Sequence, residues 1–132
     1  MAAHRIKFKQ LVGSLAVIEG TVRIDGDELE FELAMTESVS GPVGAVITRR
    51  VPMMDLESVE VTRRLLRRSR LEFTAKGVKT FQSMPGSKGF KYTVLASDPH
   101  RNVVSFVRDV LFDTAQIEMD LLSKRLERGS EG

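Results

Sequence analysis

A single amphipathic helical stretch closes a chain that otherwise reads as strands, and this combination narrows the folds open to it. Val103, Phe106, Val107, Val110, Leu111, Ile117, Leu121 and Leu122 recur at helical spacing. Arg108, Asp109, Asp113, Gln116, Asp120 and Lys124 fall largely on the other side. Asp98-Pro99 reads as the helix start: an aspartate oxygen accepts from the free N–H groups of a first turn, and proline suits the first helical position. Asn102 is an alternative cap one turn later, and Gly129 is a natural stop. A helix of this length is marginal alone, so its apolar stripe must lie on something.

The preceding residues alternate with a period of two. Leu15, Val17, Thr21, Val22 and Ile24 lead into Asp25-Gly26-Asp27, after which Leu29, Phe31 and Leu33 alternate with Glu28, Glu30 and Glu32. Gly26 tolerates the positive φ of a tight turn, so residues 15–36 are expected as a hairpin. A third strand is expected over 44–51, ended by Pro52, which donates no ladder hydrogen bond. Val59 and Val61 give a fourth; Leu71, Phe73 and Ala75 give a fifth. Val78-Lys79-Thr80-Phe81 is expected as a short sixth, and Phe90, Tyr92, Val94 and Ala96 as a seventh. Residues 1–5 and 128–132 are expected to fray.

Seven short strands in hairpin connection followed by one long helix close economically into a half-open antiparallel barrel plugged by that helix, an α+β class. The length of 132 residues suits one domain. With no cysteine, disulfide scaffolds, thiolate metal sites and cysteine nucleophiles are excluded, and two histidines leave little for a zinc site. No apolar run approaches the ~18–20 residues of a membrane span. The apolar stretch near the start is too short for a secretory segment, so the expected compartment is the cytosol.

In this order of elements the chain resembles the pleckstrin-homology-like (PH-like) domains, the bacterial ones in particular. The resemblance covers roughly residues 15–127 as a single domain. Its best local pieces are Val51-Pro52-Met53-Met54-Asp55-Leu56-Glu57-Ser58-Val59 and Arg70-Leu71-Glu72-Phe73. It implies a scaffold hosting lipid, peptide or protein binding, and does not fix which. The phosphoinositide-binding members carry basic residues on the first two strands and their loop. Here that loop is Asp25-Gly26-Asp27, flanked by Glu19, Glu28, Glu30 and Glu32, so repulsion of a polyphosphate head group is expected to win.

The candidate binding residues are Arg63, Arg64, Leu65, Leu66, Arg67, Arg68 and Arg70, five guanidinium groups around a leucine pair at an expected hairpin tip. From 49 to 70 there are seven arginines against Asp55, Glu57 and Glu60, a local +4 in a chain of net +2. Three readings stand side by side. The arginines pair with the domain's own acids; they meet a partner subunit, whose acidic stripe Glu28-Glu30-Glu32 would suit them; or the tip dips into an anionic bilayer, each basic group contributing about 1 kcal/mol near the surface. Nucleic acid is disfavoured, because Phe73 and Phe81 fall on the core side and leave no stacking platform. Met53, Met54, Met84 and Met119 read as core filler, and His4 and His100 as surface residues. There is no G-x-S-x-G elbow and no phosphate-binding loop. No catalytic residue, metal site or cofactor is therefore assigned. The expectation is a non-catalytic module for protein interaction or homo-oligomerisation, with peripheral binding to anionic lipid through 63–70 as the alternative.

Overall fold

The computed structural model describes residues 5–12, 16–38, 46–63 and 68–131, with backbone alone at 11, 12, 16, 36–38 and 129–131. Among these residues seven strands precede one helix: β1 Arg5–Val12, β2 Ala16–Asp25, β3 Glu28–Ser38, β4 Val46–Pro52, β5 Leu56–Arg63, β6 Ser69–Ala75, β7 Lys91–Ala96 and α1 His100–Glu131. All pairings are antiparallel, in the order β4-β3-β2-β1-β7-β6-β5.

That order forces the sheet to curl. β4 and β5 are consecutive in the chain yet sit at opposite edges, joined only by a 3-10 turn, Met53–Asp55. Six inter-strand gaps of about 4.8 Å would separate the edges of a flat sheet by roughly 29 Å. Three or four residues reach only about 10–14 Å. The edges must swing toward each other, and backbone bonds pin the closure: Met53 N–H to Asp27 O at 2.9 Å, and Lys76 N–H to Asp55 O at 2.9 Å. The result is a half-open barrel with a C-terminal helix, the α+β arrangement expected from the sequence and compatible with a PH-like architecture.

The strand inventory differs from expectation at two places. Residues before 15 hold a full strand, β1, in which Ile6, Phe8 and Gln10 point inward and Arg5, Lys7 and Lys9 outward. Residues 78–81, expected as a strand, form turns instead. Gln82 N–H bonds to Lys79 O and Met84 N–H to Phe81 O, both local i→i+3 contacts, and Val78 is exposed while Phe81 is buried.

The barrel interior is filled by rings. Phe31 meets Phe73 edge-on at 5.3 Å and Tyr92 at 5.7 Å; Tyr92 stacks on Phe81 at 5.8 Å and meets Phe8 at 6.4 Å. Such pairs add roughly 0.5–1.5 kcal/mol each beyond area burial. Gly20 makes room for this packing: it lies opposite Phe8, and a Cβ there would stand 2.6 Å from the Phe8 ring and 2.8 Å from the Glu32 carbonyl oxygen.

α1 plugs the barrel mainly with its first three turns. Val103, Phe106, Val107 and Val110 are buried against the core, and Ile117 is partly covered. Asp98 does not act as the expected helix cap; its carboxylate accepts from the Lys7 N–H at 2.8 Å and prolongs the β1 ladder. The helix ladder starts at the Pro99 carbonyl, which accepts from the N–H groups of Asn102 and Val103. The Ser69 hydroxyl holds His100 Nδ1 at 2.7 Å and ties the helix start to β6, so His100 is an anchor and not a plain surface residue. The helix runs past Gly129 to Glu131.

Candidate binding surfaces

The acidic stripe and Arg50 of β4 lie on the outer face of β2-β3-β4, where register decides their partners; Arg49 stands opposite the inward Phe31 and bonds to Ser83. Arg23 stands opposite Glu30, and Glu30 opposite Arg50. Arg50 Nη2 donates to Glu30 at 2.6 Å and to Asp25 at 2.8 Å, and Arg23 Nε donates to Glu30 at 3.1 Å. The hydrogen bond from Arg50 holds the Asp25 carboxyl below its ordinary range; slight burial opposes this, and the charges of Arg23 and Arg50 add to it. Asp25, Glu28 and Glu30 are thus paired within their own chain by Arg23 and Arg50. Part of the charge expected to meet another copy's arginines is already committed.

The arginine hairpin divides. Positions Arg64, Leu65, Leu66 and Arg67 lie outside the described residues. Arg63 and Ser69 close the last β5-β6 pair, and Arg63, Arg68 and Arg70 are exposed. Arg70 Nη2 donates to Glu72 at 3.0 Å. Burial alone would raise the Glu72 carboxyl; Lys91, the Thr93 hydroxyl and Arg70 outweigh it and hold the group below its ordinary value.

Beside this hairpin the sheet splits. β1 and β7 pair only at Phe8–Ala96 and Lys9–Leu95, and beyond Lys9 the strands diverge. A cleft of about 690 Å³ opens there, lined by Lys9, Arg68, Arg70, Lys88 and Lys91 against Glu19 and Glu72. Glu72 engages Arg70 and Lys91, and Glu19 lies 3.6 Å from Lys9; Arg68 and Lys88 have no ion-pair partner among the described residues. The cleft floor holds Gln10, whose amide oxygen accepts from the buried Tyr92 hydroxyl at 2.9 Å. Burial pushes the Tyr92 phenol far above its ordinary value. Lys9, Lys88 and Lys91 were not assigned from the sequence, because three separated segments bring them together only once the β1-β7 seam is placed.

The third surface is apolar. Beyond Ile117 the helix leaves the barrel, and every residue from 118 to 128 is exposed. Phe112 and Met119 are each 63% exposed, Leu122 57% and Leu126 67%. Leu111, Leu121 and Leu122, expected on the packed stripe, are exposed as well, and Met119 is no core filler. Met53 and Met84 are buried as expected. Among the described residues no helix is long and apolar enough to cross a membrane. Compared with known proteins, the chain matches no family model, no curated protein and no solved structure.

Proposed function

We propose that this chain is a PH-like, non-catalytic interaction module of the cytosol whose main work is to bind protein, its own copies included. The observation that carries the reading is the second half of α1. A helix whose last turns touch no core gains little from propensity alone. Four large apolar side chains left open on one such rod (Phe112, Met119, Leu122 and Leu126) form the kind of patch that protein contact covers. The aromatic-filled barrel serves as a rigid mount for that rod.

The test compares the natural chain with the Met119→Glu/Leu122→Glu variant in light scattering and in quantitative capture of other proteins, with the thermal midpoint as the folding control. Association lost in the variant at an unchanged midpoint is expected. Equal association in both, or none in either, refutes the reading.

The basic cleft favours a second reading, peripheral attachment to an anionic lipid surface. Five cations against two carboxylates lie next to the Arg63–Arg70 hairpin, and each basic group near such a surface contributes about 1 kcal/mol. This reading expects salt-sensitive binding to phosphatidylserine vesicles that Arg64→Glu/Arg67→Glu/Arg68→Glu abolishes. Binding that survives the charge reversal rules it out.

A further inference from the structure

We propose that the exposed stripe of α1 pairs with the same stripe of a second copy, the two helices running antiparallel. The inference rests on the protein-interaction reading above and gives it a partner and a geometry. At about 100° per residue, Phe112, Ala115, Met119, Leu122 and Leu126 fall within an arc of roughly 80°. That arc lies roughly 160° around the helix from the side that carries Val103, Phe106, Val110 and Ile117 into the core. The stripe therefore faces away from its own domain, open to a second helix. Its steps of three, four, three and four residues are those of a two-stranded seam, in which each side chain fills a gap in the facing helix.

Charge chooses the partner and the direction. From 109 to 120 the helix carries Asp109, Asp113, Glu118 and Asp120 and no cation; from 121 to 128 it carries Lys124, Arg125 and Arg128 against Glu127. A second copy in parallel register sets acid on acid and base on base. Turned end for end, it sets the acidic half of each helix on the basic half of the other. The seam then closes with its symmetry axis between positions 120 and 121. Met119 meets Leu122 of the second copy, Ala115 meets Leu126, and Glu118 on the flank reaches Arg125, each contact made twice. Among the described residues of the single chain the ion-pair partner of Glu118 is Lys76, at 4.0 Å and exposed. The rod is already helical and fixed to the barrel through Val103, Phe106 and Val110, so pairing orders little that is not ordered beforehand.

The chain has no cysteine, so introduced ones report cleanly. Ala115→Cys and Leu126→Cys, each oxidised alone, are expected to remain uncrosslinked. Their equimolar mixture is expected to give a disulfide-linked dimer, because the two positions share a layer only in the antiparallel pair. Glu118→Arg and Arg125→Glu are each expected to weaken the dimer about tenfold, since each sets two like-charge contacts in the seam, and the double variant to restore it. These side chains are exposed, so helix content and thermal midpoint are expected to hold in every variant. Ala115→Cys crosslinking with itself overturns the antiparallel pair, as does failure of the double variant to restore the dimer; both leave the interaction reading intact. A mass that stays at 14.7 kDa at all concentrations overturns self-pairing, while capture of other proteins that depends on Met119 and Leu122 would still support the broader reading.

Discussion

Replacing Tyr92 by phenylalanine isolates one hydroxyl at the floor of the basic cleft and has two separable consequences. The ring contacts with Phe8, Phe31 and Phe81 are kept; what goes is the bond donated to Gln10 Oε1 at 2.9 Å. Leaving a buried acceptor unpaired costs about 1–3 kcal/mol. Gln10 keeps 8% exposure, so water reaches it in part and the cost falls at about 1–2 kcal/mol. For a domain of this length that lowers the thermal midpoint by roughly 3–10 °C near neutral pH. The second consequence is alkaline. Burial raises the folded phenol above its ordinary value, so the stability it contributes is fully present below the unfolded pKa of about 10. Above that pH the unfolded chain releases the proton and the folded chain keeps it, and stability falls by up to about 1.4 kcal/mol per pH unit. The phenylalanine variant has no such slope, so the two stability curves should meet about one unit above pH 10. Urea unfolding from pH 8 to 11.5 measures both effects. Tyr92 is the sole tyrosine, so ultraviolet absorbance follows its ionisation directly and should track unfolding. Parallel curves across that range, or tyrosinate forming in the folded chain near pH 10, would refute the argument. Gln10→Met added to Tyr92→Phe should recover most of the neutral loss, because both polar partners then leave together.

Two further predictions concern the sheet. Gly20→Ala drives a methyl into the Phe8 ring and the Glu32 carbonyl, and overpacking of about 1–3 kcal/mol outweighs the roughly 0.4–1 kcal/mol gained by stiffening the unfolded chain. A net loss of about 1–2 kcal/mol in denaturant unfolding is expected, and a more stable variant would contradict the close approach. On the acid side, the Asp25 and Glu72 carboxyls are both held low. Their contribution is present above the ordinary carboxylate range and is lost as pH falls through the lowered folded values. Arg50→Ala should therefore shift acid unfolding, followed by circular dichroism, toward higher pH; an unchanged acid limb would count against the Arg50–Asp25 bond as a stabilising contact.

The fold class was legible because alternation and helical spacing are local signals. The same alternation in Ile6-Lys7-Phe8-Lys9 marks β1, but those residues adjoin a terminus expected to fray. At 78–81, Val78 and Phe81 supplied apolar residues without a true period of two, and local i→i+3 bonds took the segment. The site was less legible. Which arginine pairs with the acidic stripe depends on register: Arg50 stands opposite Glu30, and no spacing in the sequence says so. The helix periodicity placed Leu121 and Leu122 on a packed stripe, yet the surface that the barrel offers ends at Ile117. How far a sheet extends beneath a helix is a tertiary quantity.

The short β1-β7 seam also sets the order in which the barrel can form. β1 to β4 and β5 to β7 are two runs of nearest-neighbour hairpins, each assembled from contacts close in sequence and so expected to form on the microsecond scale. The seam joins residue 8 to residue 96, and its closure entropy must be met before its few bonds are gained. A chain emerging from the ribosome can complete its first sheet early but cannot close the barrel until Ala96 is free. Val103, Phe106 and Val110 follow within one to three helical turns, so the helix reaches its socket just as the socket comes into being. The strand lost from either side of that seam would leave two half-sheets with open edges, and the passage through that state is where this protein is most exposed to pairing with the wrong chain.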